Sequence, residues 1–448
     1  MGLKSVRSIE SRVPRFFDIL DDESRTLRRL EACFISTAES FGFREIRTAA
    51  VEVRDRYLAA TRVHPSRIFE VHRPKEGSRF VLQADLAMGM SRFVADLPSP
   101  TPLKLAQVSS VFRDRQLDVP GWRRQFDHAV LGTWGLPSPH ADAEILTTAH
   151  EMLAQVPGVD VAFIQFANAH VFARLAPDLA QEIRFSGKDI EGLLAGTSLT
   201  TRDRELVTAL FRRGRMPLAE FRASIAPVED ARVREEAAAL LATAAETAEA
   251  LPGLPMYVNL ADLHGTGHYS GVTYQMFLTA PGRAEPFSMI DGGRIDHLCR
   301  AFNSRDVPAA CLGISLTVLA NLCPAEPPQR KVILLVECPA GTAGPADCGS
   351  ADAAADSGSA DTAPGAGPQR SVAGDIRSAL RDHGVQSSVM RLPRRKWSAV
   401  FKSEFYAGHG FVLVEGDRIT VRHPDADERQ AIQELLSSHQ SGTWVLKV

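Results

Sequence analysis

Between Asp22 and Phe43 the apolar residues Leu27, Leu30, Cys33, Phe34, Ala38 and Phe41 recur at helical spacing, and Gly42 closes the run. The pattern predicts an amphipathic helix leading into a strand over 44–53. Further strands are predicted over 79–82, 103–113 and 125–133, the last preceded by a tight loop at 118–121. Residues 142–155 carry Ile145, Ala149 and Leu153 on one helical face. The stretch 172–250 is rich in Ala, Arg, Glu and Leu and offers no convincing strand, so an inserted helical subdomain is expected. Strand patterns return over 256–260, 271–278 and 287–290. A helix is expected after a Gly292-Gly293 turn, and residues 312–322 form a last apolar element.

After Pro324 the composition shifts. Residues 331–336 (KVILLV) form an apolar run of the kind a buried strand needs. Residues 339–369 are mostly Ala, Gly, Ser, Asp and Pro, too poor in apolar surface to order themselves, and are expected to form a flexible loop. Beyond them the pattern predicts a helix at 372–383, a strand at 387–390, a helix at 398–406, strands at 411–415 and 418–422, and a helix at 426–438. Two domains are expected, 14–322 and a small α/β domain at 330–448 interrupted by the loop.

Composition narrows the classes. Of 448 residues 44% are hydrophobic and 23% charged, a globular balance, and the net charge of −3 argues against a broad nucleic-acid-binding face. The N-terminal segment has no continuous apolar stretch, so no secretory signal is expected, and Val6 stands where a myristoylation signal takes Ser or Thr. No window approaches the roughly 18 apolar residues of a membrane span. Cytoplasm is the expected compartment. The six cysteines form no CxxC pair and the histidines no ligand spacing, so neither a disulfide framework nor a metal site is expected.

Five segments carry candidate chemistry. Val111-Phe112-Arg113, a loop, and Trp122-Arg123-Arg124-Gln125-Phe126 offer a guanidinium fork suited to a phosphate or carboxylate and a ring on which a base can stack. Arg113 taken alone reads first as a solvated charge at a strand end, and its pairing with residues 122–126 (WRRQF) turns the reading toward a binding site. Residues 81–85 (VLQAD) end in Asp85, either a carboxylate for an ammonium or a helix cap. Residues 264–271 (HGTGHYSG) and 291–296 (DGGRID) supply His264, Tyr269, Gly292, Gly293 and Arg294, the glycines allowing close backbone approach to a ligand. Residues 313–319 (GISLTVL) are an apolar helix start.

Together these segments resemble the class II aminoacyl-tRNA synthetase core, specifically the histidyl-tRNA synthetase family, over residues 14–322. The C-terminal domain more weakly resembles an anticodon-binding domain. The resemblance implies an α+β fold, an antiparallel sheet flanked by helices, and dimerisation near residues 46–52. It implies amino-acid binding by Asp85, His128, His264, Tyr269, Gly292, Gly293 and Arg294. It implies an altered ATP or phosphate site at Arg113 and Phe126. Several positions depart from the family pattern. Arg115 replaces an acidic adenine contact, Gly132 a glutamate for the imidazole, His264 an arginine, and Val318 the arginine that packs on adenine. The arginine at 264 would neutralise the α-phosphate during adenylation, and preorganised charge of that kind is usually the dominant catalytic term; a neutral histidine is a poor substitute. Residues 269–271 resemble instead the ATP phosphoribosyltransferase regulatory subunit, a non-catalytic relative.

The first expectation is therefore a regulatory subunit in histidine biosynthesis, without catalytic residues or cofactor, partnered by a short-form ATP phosphoribosyltransferase catalytic subunit and binding a histidine-like amino acid as a homodimer. The alternative is an amino-acid-activating ligase using ATP and Mg, with Arg294 or Arg123 replacing the missing cation. A true histidine–tRNA ligase ranks third, and tRNA is not an expected partner.

Overall fold

The computed structural model describes residues 13–447 apart from 20, 62, 76, 99–101, 115–122, 169, 176–191, 193, 195, 263–267, 304, 325–330, 338–371, 404–405, 407–408, 416–417 and 440–444. The loops expected at 118–121 and 339–369 thus lie outside the described residues, as do Arg115, Trp122 and His264. The chain divides into two compact units, Met1–Ala325 and Glu326–Val448.

The first unit opens with α1 (Asp21–Ser40), which buries Leu27, Leu30, Phe34 and Ala38 as its periodicity demands. Gly42, at φ +79°, ends it: the Phe43 N–H reaches the Ala38 carbonyl and the Gly42 N–H that of Glu39. This is the paired-bond closure that a left-handed residue after a helix permits. The strand expected over 44–53 is instead two pieces, β1 (Arg44–Glu45) and β2 (Val51–Val53), each in a different sheet. Then come α2 (Arg54–Ala60), β3 (Glu70–Arg73), β4 (Gly77–Leu82), α3 (Leu86–Ala95), β5 (Leu103–Phe112), β6 (Gln125–Trp134), α4 (His140–Leu153) and β7 (Asp160–Asn168). The next stretch holds α5 (His170–Leu175), α6 (Thr201–Arg213), β8 (Met216–Pro217), α7 (Leu218–Ile225) and α8 (Ala231–Ala250). The unit ends with β9 (Met256–Val258), β10 (Val272–Thr279), β11 (Phe287–Arg294), α9 (Arg300–Asn303), β12 (Ala309–Ser315) and α10 (Leu316–Leu322).

Nine strands form one sheet in the order β1-β5-β6-β12-β11-β10-β7-β9-β8. Pairing is antiparallel except for β1 with β5 and β7 with β9. The α+β arrangement is the expected one. Alternation along the strands sorts side chains between two cores. Ala129, Leu131, Leu312, Ile314, Ile290 and Tyr274 pack under α1, α4, α8 and α10. Val130, Trp134, Cys311 and Tyr269 face the other way, with Tyr57 of α2 and Leu86, Met88 and Met90 of α3. β2, β4 and β3 make a small sheet beside this second core.

Two expectations are corrected here. The helical stretch 172–250 contains a strand, β8, paired with β9, and its apolar residues Val207, Leu210, Phe221, Val233 and Leu240 join the principal core rather than building their own. The Gly292-Gly293 pair is not a turn: it lies inside β11, bonded to β10 on one side and β12 on the other. Space explains the glycines. A Cβ at Gly292 would lie 2.3 Å from the Cys311 carbonyl oxygen and 2.5 Å from the Tyr274 ring, and one at Gly293 would lie 2.7 Å from the Val272 carbonyl oxygen.

In the second unit β13 (Lys331–Glu337) is central, parallel to β14 (Gln386–Leu392) on one side and β15 (Gly410–Glu415) on the other. β16 (Arg418–Arg422) and β17 (Val445–Lys447) extend the sheet. Val332 and Leu334 pack with α11 (Val372–Asp382) and, through Ile432 and Leu436, with α13 (Ala426–Ser438), while Ile333 and Leu335 pack with Trp397 of α12 (Trp397–Phe401). Burial on both faces is why that strand reads as an unbroken apolar run.

Candidate functional site

Of the described candidate residues, Asp85, Arg113, Phe126, His128, Tyr269 and Gly293 gather on the face of the large sheet turned away from α1, α4 and α8, whereas Gly292 and Arg294 face α4. At the edge of that face, α2 presents Tyr57, fully buried in the second core. Its hydroxyl accepts the N–H groups of Ala84 (2.8 Å) and Asp85 (2.7 Å). Burial pushes this phenol well above its usual range, and the neighbouring Asp85 adds to the effect. Asp85 is buried at the N-cap of α3, where its Oδ1 accepts the Ala87 N–H at 3.0 Å. The capping role is thus observed for one carboxylate oxygen.

Arg113 continues from the end of β5. Its Nε donates to the Ala84 carbonyl at 2.5 Å, and its guanidinium carbon lies 5.5 Å from the centre of the Phe126 ring, a cation–π pairing. Arg113, Phe126 and the 83–85 turn are therefore one assembly. Gln83 fixes that turn by donating to Ser109 Oγ (3.0 Å) and the Ser110 carbonyl (2.7 Å).

One strand inward, His128 is buried on β6, in T-shaped contact with Phe126 at 6.0 Å. It packs so closely on Gly313 that a Cβ there would meet the imidazole at 2.6 Å. Farther along β6, Gly132 lies beneath the fully buried Trp134 indole, whose Cη2 would be 2.4 Å from an added Cβ. The space where the resemblance expects a glutamate is filled by an indole.

Tyr269, buried, donates to Asp291 Oδ2 at 3.1 Å, and its neighbour His268 is stacked edge-on at 4.9 Å. Asp291 belongs to a polar row built by strand register: Gln107, Val130, Gly313, Asp291, Gln275, Gln165 and Tyr257 are directly paired across β5, β6, β12, β11, β10, β7 and β9. Gln165 is its hub. Its Nε2 donates to Asp262 Oδ2 (3.0 Å) and Gln275 Oε1 (3.2 Å), and its Oε1 accepts the Arg215 Nε–H at 2.8 Å. Arg215 lies against Phe163 (4.3 Å) and Phe277 (4.5 Å), rings stacked on each other. Partial burial lowers its pKa, opposed by Tyr257 and Asp262.

The two arginines expected to substitute for a missing cation are engaged elsewhere. Arg294 shares its strand face with Ile290 and Gly292, toward α4, and pairs with the buried Asp142 at 3.2 Å and with Asp296 at 2.6 Å. Burial works against its charge, and the two carboxylates more than offset it. Burial also pushes the Asp142 carboxyl above the usual carboxylate range in spite of Arg294. Arg123 pairs with Glu23 at 2.5 Å and lies over the Phe17 ring. Val318 is buried in α10, whose Thr317 hydroxyl accepts the Asp127 N–H at 2.8 Å. No group of His, Cys, Asp and Glu among the described residues is arranged to hold a metal ion.

Sequence reasoning missed Tyr57, Arg215 and Gln165. Tyr57 sits in a short helix with no periodic signal. Gln165 offered one, since it interrupts the apolar run of residues 161–167.

Comparison with known proteins completes this picture. The chain is 27% identical over 333 residues to an ATP phosphoribosyltransferase regulatory subunit of Bordetella parapertussis, covering 69% of this chain and 82% of that one. A protein of the same name from Desulforamulus reducens is 26% identical over 340 residues, covering 71% and 81%. The histidine–tRNA ligase of Natronomonas pharaonis is 25% identical over 328 residues, covering 69% and 73%. A solved Bacillus halodurans structure titled as an ATP phosphoribosyltransferase regulatory subunit/histidyl-tRNA synthetase superposes with a TM-score of 0.65 at 15% identity, over 91% of this chain and 98% of that one. The family model described as histidyl-tRNA synthetase matches residues 15–320. On that match, carried by the sheet and site just described, the chain belongs to the histidyl-tRNA synthetase family.

Proposed function

We propose that this protein is a non-catalytic member of the family, the regulatory subunit of an ATP phosphoribosyltransferase in histidine biosynthesis, and that its sheet-face site binds an amino acid. The observation that carries the reading is the commitment of Arg294 and Arg123 to carboxylates away from that face. With His264 in place of the arginine, the α-phosphate of ATP lacks the charge that nucleotidyl transfer needs. The relatives named as regulatory subunits support the same role. The partner is a short-form catalytic subunit. Purified protein should stimulate that subunit and show no amino-acid-dependent pyrophosphate exchange; robust exchange would overturn the reading.

Within the site we assign the ammonium of the amino acid to Asp85 or Asp291, with Tyr269 and His128 beside it. Gly293, against whose Cα side the Tyr269 ring packs, leaves the backbone of β11 bare on the site face. Asp85→Ala should abolish a calorimetric signal with histidine if that carboxylate holds the ammonium. Arg113 over Phe126 is the feature that favours the second reading, an amino-acid-activating ligase taking ATP and Mg, and pyrophosphate exchange decides between the two.

A homodimer is also proposed. β2 is an edge strand whose apolar Val51 and Val53 are 46% and 53% exposed, while Glu52 between them is buried against Arg92 at 2.9 Å. Exposed apolar side chains on an edge strand offer a surface that a second copy can cover. Light scattering should report a dimer, and Val51→Asp with Val53→Asp a monomer. No helix among the described residues is long and apolar enough to cross a membrane.

A further inference from the structure

We infer that Arg215 is the carboxylate-binding group of this site and sets its preference for an intact α-amino acid; the inference rests on the amino-acid-binding reading above. Three contacts fix the guanidinium before any ligand arrives: the 2.8 Å bond to Gln165 and the faces of Phe163 and Phe277. Gln165 is itself buried and held by Asp262 and Gln275, so the whole support is rigid. Yet Arg215 makes no ion pair with a carboxylate among the described residues. Asp262, whose charge acts on Arg215, accepts a hydrogen bond from Gln165. Arg215 is exposed at the sheet edge, where the buried Arg294 and half-buried Arg113 each already have a carboxylate or carbonyl partner. A guanidinium held in place by one hydrogen bond and two ring faces, with its remaining donors turned to solvent, is a preorganised receptor for a planar anion.

Its place in the sheet supplies the length. Gln165 and Asp291 are paired to the two sides of Gln275, two strands apart, which is about 10 Å between their Cα atoms. An amino-acid head group with a hydrogen bond of about 2.9 Å at each end spans a comparable distance. An ammonium toward Asp291 and a carboxylate toward Arg215 then use both ends of the row. Asp262 repels a carboxylate brought to the same place, and its bond to Gln165 draws off part of that charge. The arrangement also fits a protein that does not adenylate. A carboxylate clamped by a guanidinium is stabilised in its ground state and is a poorer nucleophile toward a phosphate, so the group favours sensing over activation.

The test is isothermal calorimetry on the full chain with histidine, histidinol and histamine, for wild type, Arg215→Gln and Arg215→Lys. Wild type should bind histidine roughly 10- to 100-fold more tightly than histidinol, which keeps the ammonium and imidazole but lacks the carboxylate. Arg215→Gln should remove that ratio by weakening histidine alone, and Arg215→Lys should restore part of it. Equal binding of histidine and histidinol by wild type overturns the inference with no variant needed, as does an unchanged ratio in a folded Arg215→Gln. A protein that stimulates the phosphoribosyltransferase but binds none of the three ligands sinks this inference and leaves the regulatory reading standing. One that shows the Arg215-dependent ratio but stimulates nothing does the reverse.

Discussion

Replacing Gly132 with alanine probes the point where the site differs most from the family pattern. The added Cβ would lie 2.4 Å from Trp134 Cη2 and 2.6 Å from Cζ3, about an ångström inside the ordinary carbon–carbon contact distance of roughly 3.5–4.0 Å. Trp134 is fully buried, so the indole has nowhere to retreat without moving its neighbours Val130, Leu105 and Cys311. Overpacking of this kind costs about 1–3 kcal/mol. Replacing a glycine within a strand returns about 0.5–1 kcal/mol by restricting the unfolded chain. The net expectation is a loss of about 1–2 kcal/mol. Trp134→Leu alone should cost about 3 kcal/mol through lost burial. In that background the ring atoms are gone and Gly132→Ala should cost nothing or stabilise slightly. The double-mutant cycle should therefore show a coupling of about 1–3 kcal/mol. Urea unfolding followed by far-ultraviolet circular dichroism, fitted to the transition of the first unit, measures all four proteins. Additive costs, with coupling below about 0.5 kcal/mol, would refute the claim that the indole occupies this space.

Three further outcomes follow from the same geometry. Tyr57→Phe leaves the buried Ala84 and Asp85 N–H groups without their acceptor; it should cost about 2–4 kcal/mol in chemical unfolding and weaken amino-acid binding by loosening Asp85. Arg294→Met should destabilise by about 3–5 kcal/mol at neutral pH, because it strands the buried Asp142 carboxylate, and the loss should shrink in acid as that carboxyl takes up a proton; ligand affinity in the remaining folded protein should be unchanged. Glu236 is buried, which works against its charge, but hydrogen bonds with His170 and Asn168, then Arg174, hold its carboxyl below the usual glutamate range. A depressed carboxyl contributes stability above its unfolded pKa and loses it as pH falls through the folded one. Glu236→Gln should thus cost about 1–3 kcal/mol at pH 7 and progressively less below pH of about 4 in a thermal-unfolding series.

The sequence by itself determined two kinds of element. The α1 stripe ending at Gly42 and the terminal helix follow from a spacing of 3.6, because one face of each must leave water, whereas β5, β6 and β13 show as short apolar-rich runs because both of their faces are covered. It also determined which chemical groups were available: Arg113 with Phe126, Asp85, Tyr269 and the paired glycines. It did not reveal α3, whose Leu86, Met88 and Met90 are buried with little polar contrast, nor β7, where Gln165 breaks an apolar run. Elements buried nearly all round carry no periodic contrast to read. Only the tertiary structure decided what each group faces. Arg294 and Gly293 are neighbours in sequence, yet alternation sends the arginine to Asp142 under α4 and leaves the glycine against Tyr269 on the site face. Gly292 and Gly293, a turn by composition, are strand residues because the Tyr274 ring, the Tyr269 ring and the flanking backbones of β10 and β12 leave no room for a Cβ. Arg215 and Gln165 stand 50 positions apart and meet because β7 lies beside the β9–β8 edge that the helical stretch carries back to the sheet. Partnership of that kind depends on strand order and register, which arise from the packing of the whole chain and leave no local mark on either residue.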